Sequence, residues 1–293
     1  MIAGRRRLCW LACAGVPIAV VGVVGLAAPI ATQQPSFSTR ADYVRVDVEV
    51  RRNNAVVTGL TAADFEVLDN DVPQRLEIVA PSAFSVSVVL ALDMSASLDQ
   101  KARAHLTGAG IRVVDALKPG ESAALLTFNE RVAIRSTFTA DAAKLRELVA
   151  APAPSGDTAL YDAAHTAMLV GTAAPGRSIV ILFSDGDDTA SFLTEDAIVE
   201  TARRTGSVVC VVTLGGEDKL LQQLTTTTGG VFLREKSLDR VAARFAEILE
   251  RFRERYLLSF APTGVDKPGW HKLTVRVKSG GDVRARTGYW GGS

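Results

Sequence analysis

The stretch from Phe84 to Ser97, FSVSVVLALDMSAS, constrains this chain more than any other. It opens as an apolar, β-branched run and stops at three oxygen-bearing side chains, Asp93, Ser95 and Ser97. A short continuous apolar run with polar residues at its ends marks a strand buried on both faces, as in a parallel sheet. In open α/β sheets, ligands bind just beyond the carboxyl ends of such strands. Oxygen-bearing side chains at alternate positions there suit a hard cation.

The chain after this stretch alternates helices and strands. Ala102, Leu106, Ala109, Val113 and Leu117 recur at helical spacing, and Lys118-Pro119-Gly120 ends that helix. SAALLTFN and RVAIRST meet at Asn129-Glu130 as a tight hairpin, which makes one of them an antiparallel edge strand. Helices are predicted near Asp141–Ala150, from Ala159 to Gly171, over Thr194–Thr205 and Lys219–Thr226, and as a long closing helix over Ser237–Glu254. RSIVILFSDGDDT, SVVCVVTL and VFLRE are the strands between them. Such alternation predicts the α/β class, with a doubly wound, mostly parallel sheet over residues 84–254.

Both flanks read as β structure. In DYVRVDVEV, Val44, Val46, Val48 and Val50 alternate with Tyr43, Arg45, Asp47 and Glu49, the pattern of a strand with one wet face. Two short strands follow around a turn at Asp69-Asn70-Asp71. At the far end RYLLSFAP, HKLTVRVKS and DVRARTGYW alternate in the same way. Almost no linker separates either flank from the α/β segment. Residues 42–82 and 255–293 are therefore expected to form one small β-rich module, with the α/β domain inserted between them.

Composition narrows the function. With 47% hydrophobic and 22% charged residues, the 293-residue chain is globular rather than disordered. A formal net charge of +1 offers no basic excess for nucleic acid. Arg5, Arg6 and Arg7 precede an apolar stretch from Leu8 to Ile30, so residues 1–31 read as a cleaved signal peptide or an uncleaved membrane anchor. Either predicts export to a periplasmic or extracellular location, free or anchored to the inner membrane. Cys9 and Cys13 lie in that segment, and Cys210, inside SVVCVVTL, reads as a small core hydrophobe. His105, His165 and His271 stand in no nucleophile elbow or zinc-protease helix, and no phosphate loop appears, which points away from an enzyme.

Three loops are expected at one end of the sheet: Asp93-Met94-Ser95-Ala96-Ser97, Gly156-Asp157-Thr158 and Ser184-Asp185-Gly186. Taken singly, Ser97 and Thr158 read as helix N-caps and Asp185-Gly186 as an ordinary turn. Taken together, the carboxylates of Asp93 and Asp185 and the hydroxyls of Ser95, Ser97 and Thr158 are candidate ligands for a divalent cation of the Mg²⁺ class, Mn²⁺ and Ca²⁺ included. Neutral hydroxyls in the inner sphere leave such a metal net positive, able to attract an external carboxylate.

In this order the three elements resemble the von Willebrand factor type A (VWA) domain with its metal-ion-dependent adhesion site (MIDAS). The family's D-x-S-x-S element falls on Asp93, Ser95 and Ser97, its threonine loop on Gly156 to Ala163, and its third acidic loop on Asp185-Gly186. GLTAADFEVLDND with Gln74, and the terminal RYLLSFAP and RTGYW, are similar to the acidobacterial VWFA-related secreted family, although Asp71 stands where glycine is commoner. The resemblance implies a Rossmann-like fold and an exported adhesion or recognition protein. Such a protein binds, through its metal, a protein ligand that offers a carboxylate. The competing expectation is a noncatalytic scaffold of a cell-envelope complex with a mainly structural metal site.

Overall fold

The computed structural model describes residues 43–79, 84–151, 155–185, 187–214, 218–265 and 268–291. The expected signal or anchor segment at 1–31 lies outside them, as does Gly186. No helix among the described residues is long and apolar enough to cross a membrane.

Five short strands come first: β1 (Val44–Arg52), β2 (Ala55–Val56), β3 (Phe65–Asp69), β4 (Val72–Pro73) and β5 (Glu77–Val79). The alternating region follows as β6 (Val86–Asp93), α1 (Gln100–Asp115), β7 (Ser122–Phe128), β8 (Val132–Thr139), α2 (Ala142–Ala150), α3 (Leu160–Thr172), β9 (Arg177–Ser184), α4 (Glu195–Arg204), β10 (Val208–Thr213), α5 (Lys219–Thr228), β11 (Phe232–Arg234) and α6 (Val241–Arg253). The chain ends in β12 (Tyr256–Phe260), β13 (Gly269–Val277), β14 (Asp282–Arg284) and β15 (Gly288–Gly291).

The large sheet has the order β11-β10-β9-β6-β7-β8. All its pairings are parallel except the β7–β8 hairpin, which puts the antiparallel strand at the edge. β6 is central and every residue in it is buried. Its two faces feed two cores. Val88, Leu90 and Leu92 pack with α1, α2 and α6 through residues such as Leu106, Leu145 and Phe245, while Val89 and Ala91 meet α3, α4 and α5. Helices on both faces explain why the strand shows no polar alternation. Cys210 is a buried free thiol in the first of these cores.

The flanking strands pair directly with one another. β1 runs antiparallel to β12 and β3 antiparallel to β13, giving the sheets β14-β1-β12-β5 and β15-β13-β3-β4. Their inner faces enclose a third core that includes Val46, Val48, Val50, Phe65, Leu258 and Phe260. Asn70 and Asp71 take left-handed φ values of 46° and 67° in the β3–β4 turn, where short polar side chains are tolerated. The described residues after Arg40 belong to one compact unit.

Three expectations need correction. The second face of β1 is not wet along its length. Glu49 is only 3% exposed and lies among Arg51, Arg251, Arg284 and Arg255 at 3.3, 2.8, 3.4 and 3.8 Å. Asp47 accepts from Arg177 Nε at 2.7 Å, and Arg177 also donates to the Phe252 carbonyl at 3.0 Å. This face of β1 thus meets the α/β sheet and its closing helix through a layer of ion pairs. Next, DVRARTGYW is two strands in different sheets, because β14 pairs with β1 and β15 with β13. Finally, the closing helix does not begin at Ser237. Residues Leu238–Arg240 form a tighter 3₁₀ turn, a common helix entry, before α6 proper.

The break between β14 and β15 is a docking point. Gly229 caps α5 with φ 76°, and a Cβ there would meet the Ala285 carbonyl carbon at 2.5 Å. Thr287 N donates to the Thr227 carbonyl across the same contact. Nearby, Arg286 caps the end of α4 by donating to the Arg203 and Thr205 carbonyls, and burial lowers its pKa to about 10. Gly229→Ala is expected to lower stability by about 2–4 kcal/mol, from left-handed backbone strain plus overpacking against backbone that cannot step aside. Urea unfolding at neutral pH measures this directly.

The aromatic residues of the last strands act as packing. Trp270 pairs with Trp290 across β13 and β15, and Arg203 and Arg204 lie over their rings. Tyr289 is buried and donates to Asp69, which also bonds His271 Nδ1 at 2.9 Å. His105 pairs with Asp239 and His165 bonds the Thr201 hydroxyl.

Candidate metal centre

β6 ends at Asp93, whose carboxylate is buried at the carboxyl edge of the sheet. Asp93 Oδ1 accepts from Ser95 N at 2.8 Å, which turns the chain sharply after the strand. The turn brings the Ser95 and Ser97 hydroxyls to 2.8 Å from each other. Ser97 Oγ then donates to Asp185 Oδ1 at 2.9 Å, joining the first loop to the end of β9. Four of the five candidate ligands are therefore joined in one hydrogen-bonded string, through the Ser95 backbone N–H at its first step.

Backbone bonds place the fifth. Ala96 N donates to the Gly156 carbonyl at 2.9 Å and Ser155 N to the Met94 carbonyl at 3.0 Å, so the threonine loop lies against the first loop. Thr158 follows directly and is buried. Its carbonyl accepts from Thr189 N and Ala190 N, and its own N–H donates to the Thr189 hydroxyl. All three loops thus meet at the same end of the sheet.

The plain readings of Ser97 and Thr158 fail on this geometry. The cap of α1 is Asp99, which accepts from Ala102 N at 2.7 Å, so Ser97 caps nothing. The N-cap position of α3 is Ala159, with no capping side chain of its own. The first N–H groups of α3 are met from another loop instead: Asp188 Oδ1 and Ser191 Oγ accept from Tyr161 N, and Ser191 Oγ accepts from Asp162 N. Neither hydroxyl is engaged in starting a helix, the usual reason for such a residue at such a position.

Electrostatics favour a cation at this point. Burial pushes the Asp93 carboxyl above its ordinary value, despite the Ser184 and Ser95 hydrogen bonds, and the nearby Asp185 charge pushes the same way. Two neighbouring carboxylates, one of them fully buried, are costly unless a positive charge joins them. The donors are all oxygens, the set preferred by Mg²⁺-class ions and not by soft metals. Among the described residues, no three His, Cys, Asp or Glu side chains cluster closely enough to hold a metal by themselves. Any cation here would rely on the three hydroxyls.

One participant escaped the sequence reading. Ser184 Oγ donates to Asp93 Oδ2 at 2.7 Å and is 1% exposed. Its position immediately before Asp185 was the available signal, but strand-end serines are too common to single out. Ser184 orients the carboxylate through its second oxygen, so Ser184→Ala is expected to weaken divalent-cation affinity by about 10–100-fold. Calorimetric titration with Mn²⁺ reads the change, and Ser184→Thr should recover much of it.

Comparison with known proteins agrees with the fold. The family model for the von Willebrand factor type A domain matches residues 88–187. A solved von Willebrand factor type A protein from Catenulispora acidiphila superposes with a TM-score of 0.55 at 13% identity, covering 83% of this chain and 71% of that one. A mutant of the PilB minor pilin from Streptococcus sanguinis gives 0.50 at 11% identity, covering 58% of this chain and 62% of the pilin. Proximal thread matrix protein 1 from the mussel byssus, solved with a zinc-occupied MIDAS motif, gives 0.52 at 17% identity, covering 62% of this chain and 49% of that one. The match therefore spans less than two thirds of the pilin and about half of the thread protein. No curated protein matches the chain. Residues 88–187 are thus similar to the von Willebrand factor type A domain, and the chain has an α/β fold with additional β-rich parts.

Proposed function

We propose that Asp93, Ser95, Ser97, Thr158 and Asp185 hold a divalent cation, and that this cation binds a carboxylate on a protein partner. The observation that carries the reading is the string Asp93–Ser95–Ser97–Asp185, whose hydroxyls serve no helix cap. The zinc-occupied MIDAS motif of the mussel thread protein, which shares the fold, supports a divalent ion at such a site. An ion held through neutral hydroxyls keeps net positive character and can accept an external carboxylate as a further ligand. Mg²⁺, Mn²⁺ and Ca²⁺ all fit this donor chemistry. The reading assigns binding and no catalytic residue, and it places the protein outside the cytoplasm on the strength of the N-terminal pattern. The N-terminal segment fits a signal or an anchor, and the β-rich flanks resemble the acidobacterial VWFA-related secreted family.

The test is a Mn²⁺ titration of the full chain, followed by capture of extracellular partners in Mn²⁺ and in chelator. Saturable metal binding with chelator-sensitive capture is expected. Metal binding with chelator-insensitive capture would favour the scaffold alternative, which the hydrogen-bonded string also serves because it ties the loops together.

A further inference from the structure

Beside the candidate metal centre lies an open groove of about 470 Å³ between the β7–β8 hairpin tip and the loop after β9. Glu130, Arg131 and Val132 line one side, and Phe192 and Leu193 the other, with Asp162 between them. Phe192 is 91% exposed, far more than any other large apolar side chain among the described residues. A single exposed hydrophobe needs no explanation, but the backbone around this one is firmly held. Phe192 N and Leu193 N donate to the two oxygens of Asp162, at 3.1 and 3.0 Å. Ser191 Oγ donates to Asp188, and Thr189 N and Ala190 N donate to the Thr158 carbonyl. The ring is thus presented on a braced loop that is bonded to the same backbone as a candidate metal ligand.

The opposite wall is tied to the centre as well. The Asn129 carbonyl accepts from Ala159 N at 2.7 Å, and its side-chain amide donates to Ser155 Oγ at 3.0 Å. Glu130 lies over the threonine loop so closely that a Cβ on Gly156 would run into its carboxylate. The three segments 129–131, 155–162 and 187–193 carry five acids, Glu130, Asp157, Asp162, Asp187 and Asp188, against the single base Arg131. A divalent cation balances only the charges of Asp93 and Asp185. A partner carboxylate approaching the metal therefore enters a negative rim, and a nearby positive charge on the partner offsets that repulsion. A guanidinium answers both features of the groove, because it stacks on an aromatic face and pairs with carboxylates, which a compact ammonium does less well.

We infer that this groove receives an arginine side chain from the same partner segment whose carboxylate reaches the metal, with Phe192 as the stacking face and Glu130 as the charge partner. The inference rests on the proposed metal-mediated function and names the chemistry of its ligand.

The test uses the full chain in Mn²⁺ and four fluorescent glycine-serine peptides. Each carries one aspartate, with arginine, lysine, leucine or serine two positions away. By fluorescence anisotropy the arginine peptide is expected to bind about tenfold tighter than the serine peptide, with lysine intermediate. Phe192→Ala should reduce the arginine preference about three- to tenfold. Glu130→Gln should reduce it in a salt-sensitive way. Both variants should bind Mn²⁺ as wild type does by electron paramagnetic resonance. Leucine binding as well as arginine, no peptide binding in a Mn²⁺-loaded protein, or an unchanged preference in Phe192→Ala overturns the inference. Failure of the wild-type chain to bind Mn²⁺ instead overturns the underlying metal reading, so the two are told apart.

Discussion

Glu49→Gln is expected to destabilise the protein by about 3–5 kcal/mol, the cost of breaking a buried ion cluster on one side only. The substitution keeps the volume and removes the charge that four arginines share. Arg255 suffers most. It is 3% exposed, its Nε and Nη1 have no hydrogen-bond partner, and burial already lowers its pKa. Without Glu49 the one carboxylate left acting on it would be Asp47, which Arg177 already engages. Arg251 would keep Glu247, and Arg284, which is partly exposed, would turn to water. Burial opposes the Glu49 charge, but the Arg251 hydrogen bond and the charges of Arg255, Arg251 and Arg284 hold its carboxyl below the ordinary 4.5. A depressed carboxylate contributes stability above its unfolded pKa and loses it as pH falls through the folded value. The gap between wild type and Glu49→Gln should therefore be full at neutral pH and narrow below about pH 4.5. Urea unfolding at both ends of that range checks it. A neutral-pH loss under about 1 kcal/mol would show that the cluster behaves like a surface ion pair.

Asp93→Ala should abolish detectable divalent-cation binding, with affinity lowered by more than ~100-fold, since even supporting residues around metal ligands cost 10–100-fold. The fold should survive. The variant loses hydrogen bonds from Ser95 N–H and Ser184 Oγ, at about 1–3 kcal/mol. It also relieves the burial of a carboxylate whose pKa is already raised. The two-sided core around β6 does not involve the Asp93 side chain. Thermal unfolding separates the two effects. Saturating Mn²⁺ at about 100 times its dissociation constant should add about 2.7 kcal/mol to wild type and nothing to the variant. Equal stabilisation of both proteins by Mn²⁺ would place the cation somewhere other than this hydrogen-bonded string.

Much of the α/β domain was legible because its signals are local. A strand covered on both faces must be apolar throughout, so Val86 to Leu92 declares itself without knowledge of its neighbours. The loop residues Asp93, Ser95 and Ser97 could be placed at the carboxyl end of the sheet, the end where ligands bind in folds of this class. Tight turns were equally readable. Asn129-Glu130 joins two antiparallel strands, and Asn70 and Asp71 adopt the left-handed backbone that their short polar side chains permit.

What the sequence by itself determined, then, is the alternation of elements and the oxygen-bearing residues at the strand ends, since each follows from periodicity and loop chemistry within a dozen residues. Only the tertiary structure decided which polar groups are buried and which hydroxyls are unused. Glu49 follows the alternation of a solvated strand face, yet Arg251 meets it from 202 positions away. Ser97 and Thr158 read as helix caps until Asp99 and the Asp188–Ser191 loop are found occupying those roles. Phe192 reads as one apolar residue in a polar loop until Asp162, 30 positions earlier, is seen holding its backbone outward. The physical reason is the same in each case: burial and hydrogen-bond satisfaction are properties of the groups that surround a side chain, and chain folding draws those groups from distant parts of the sequence.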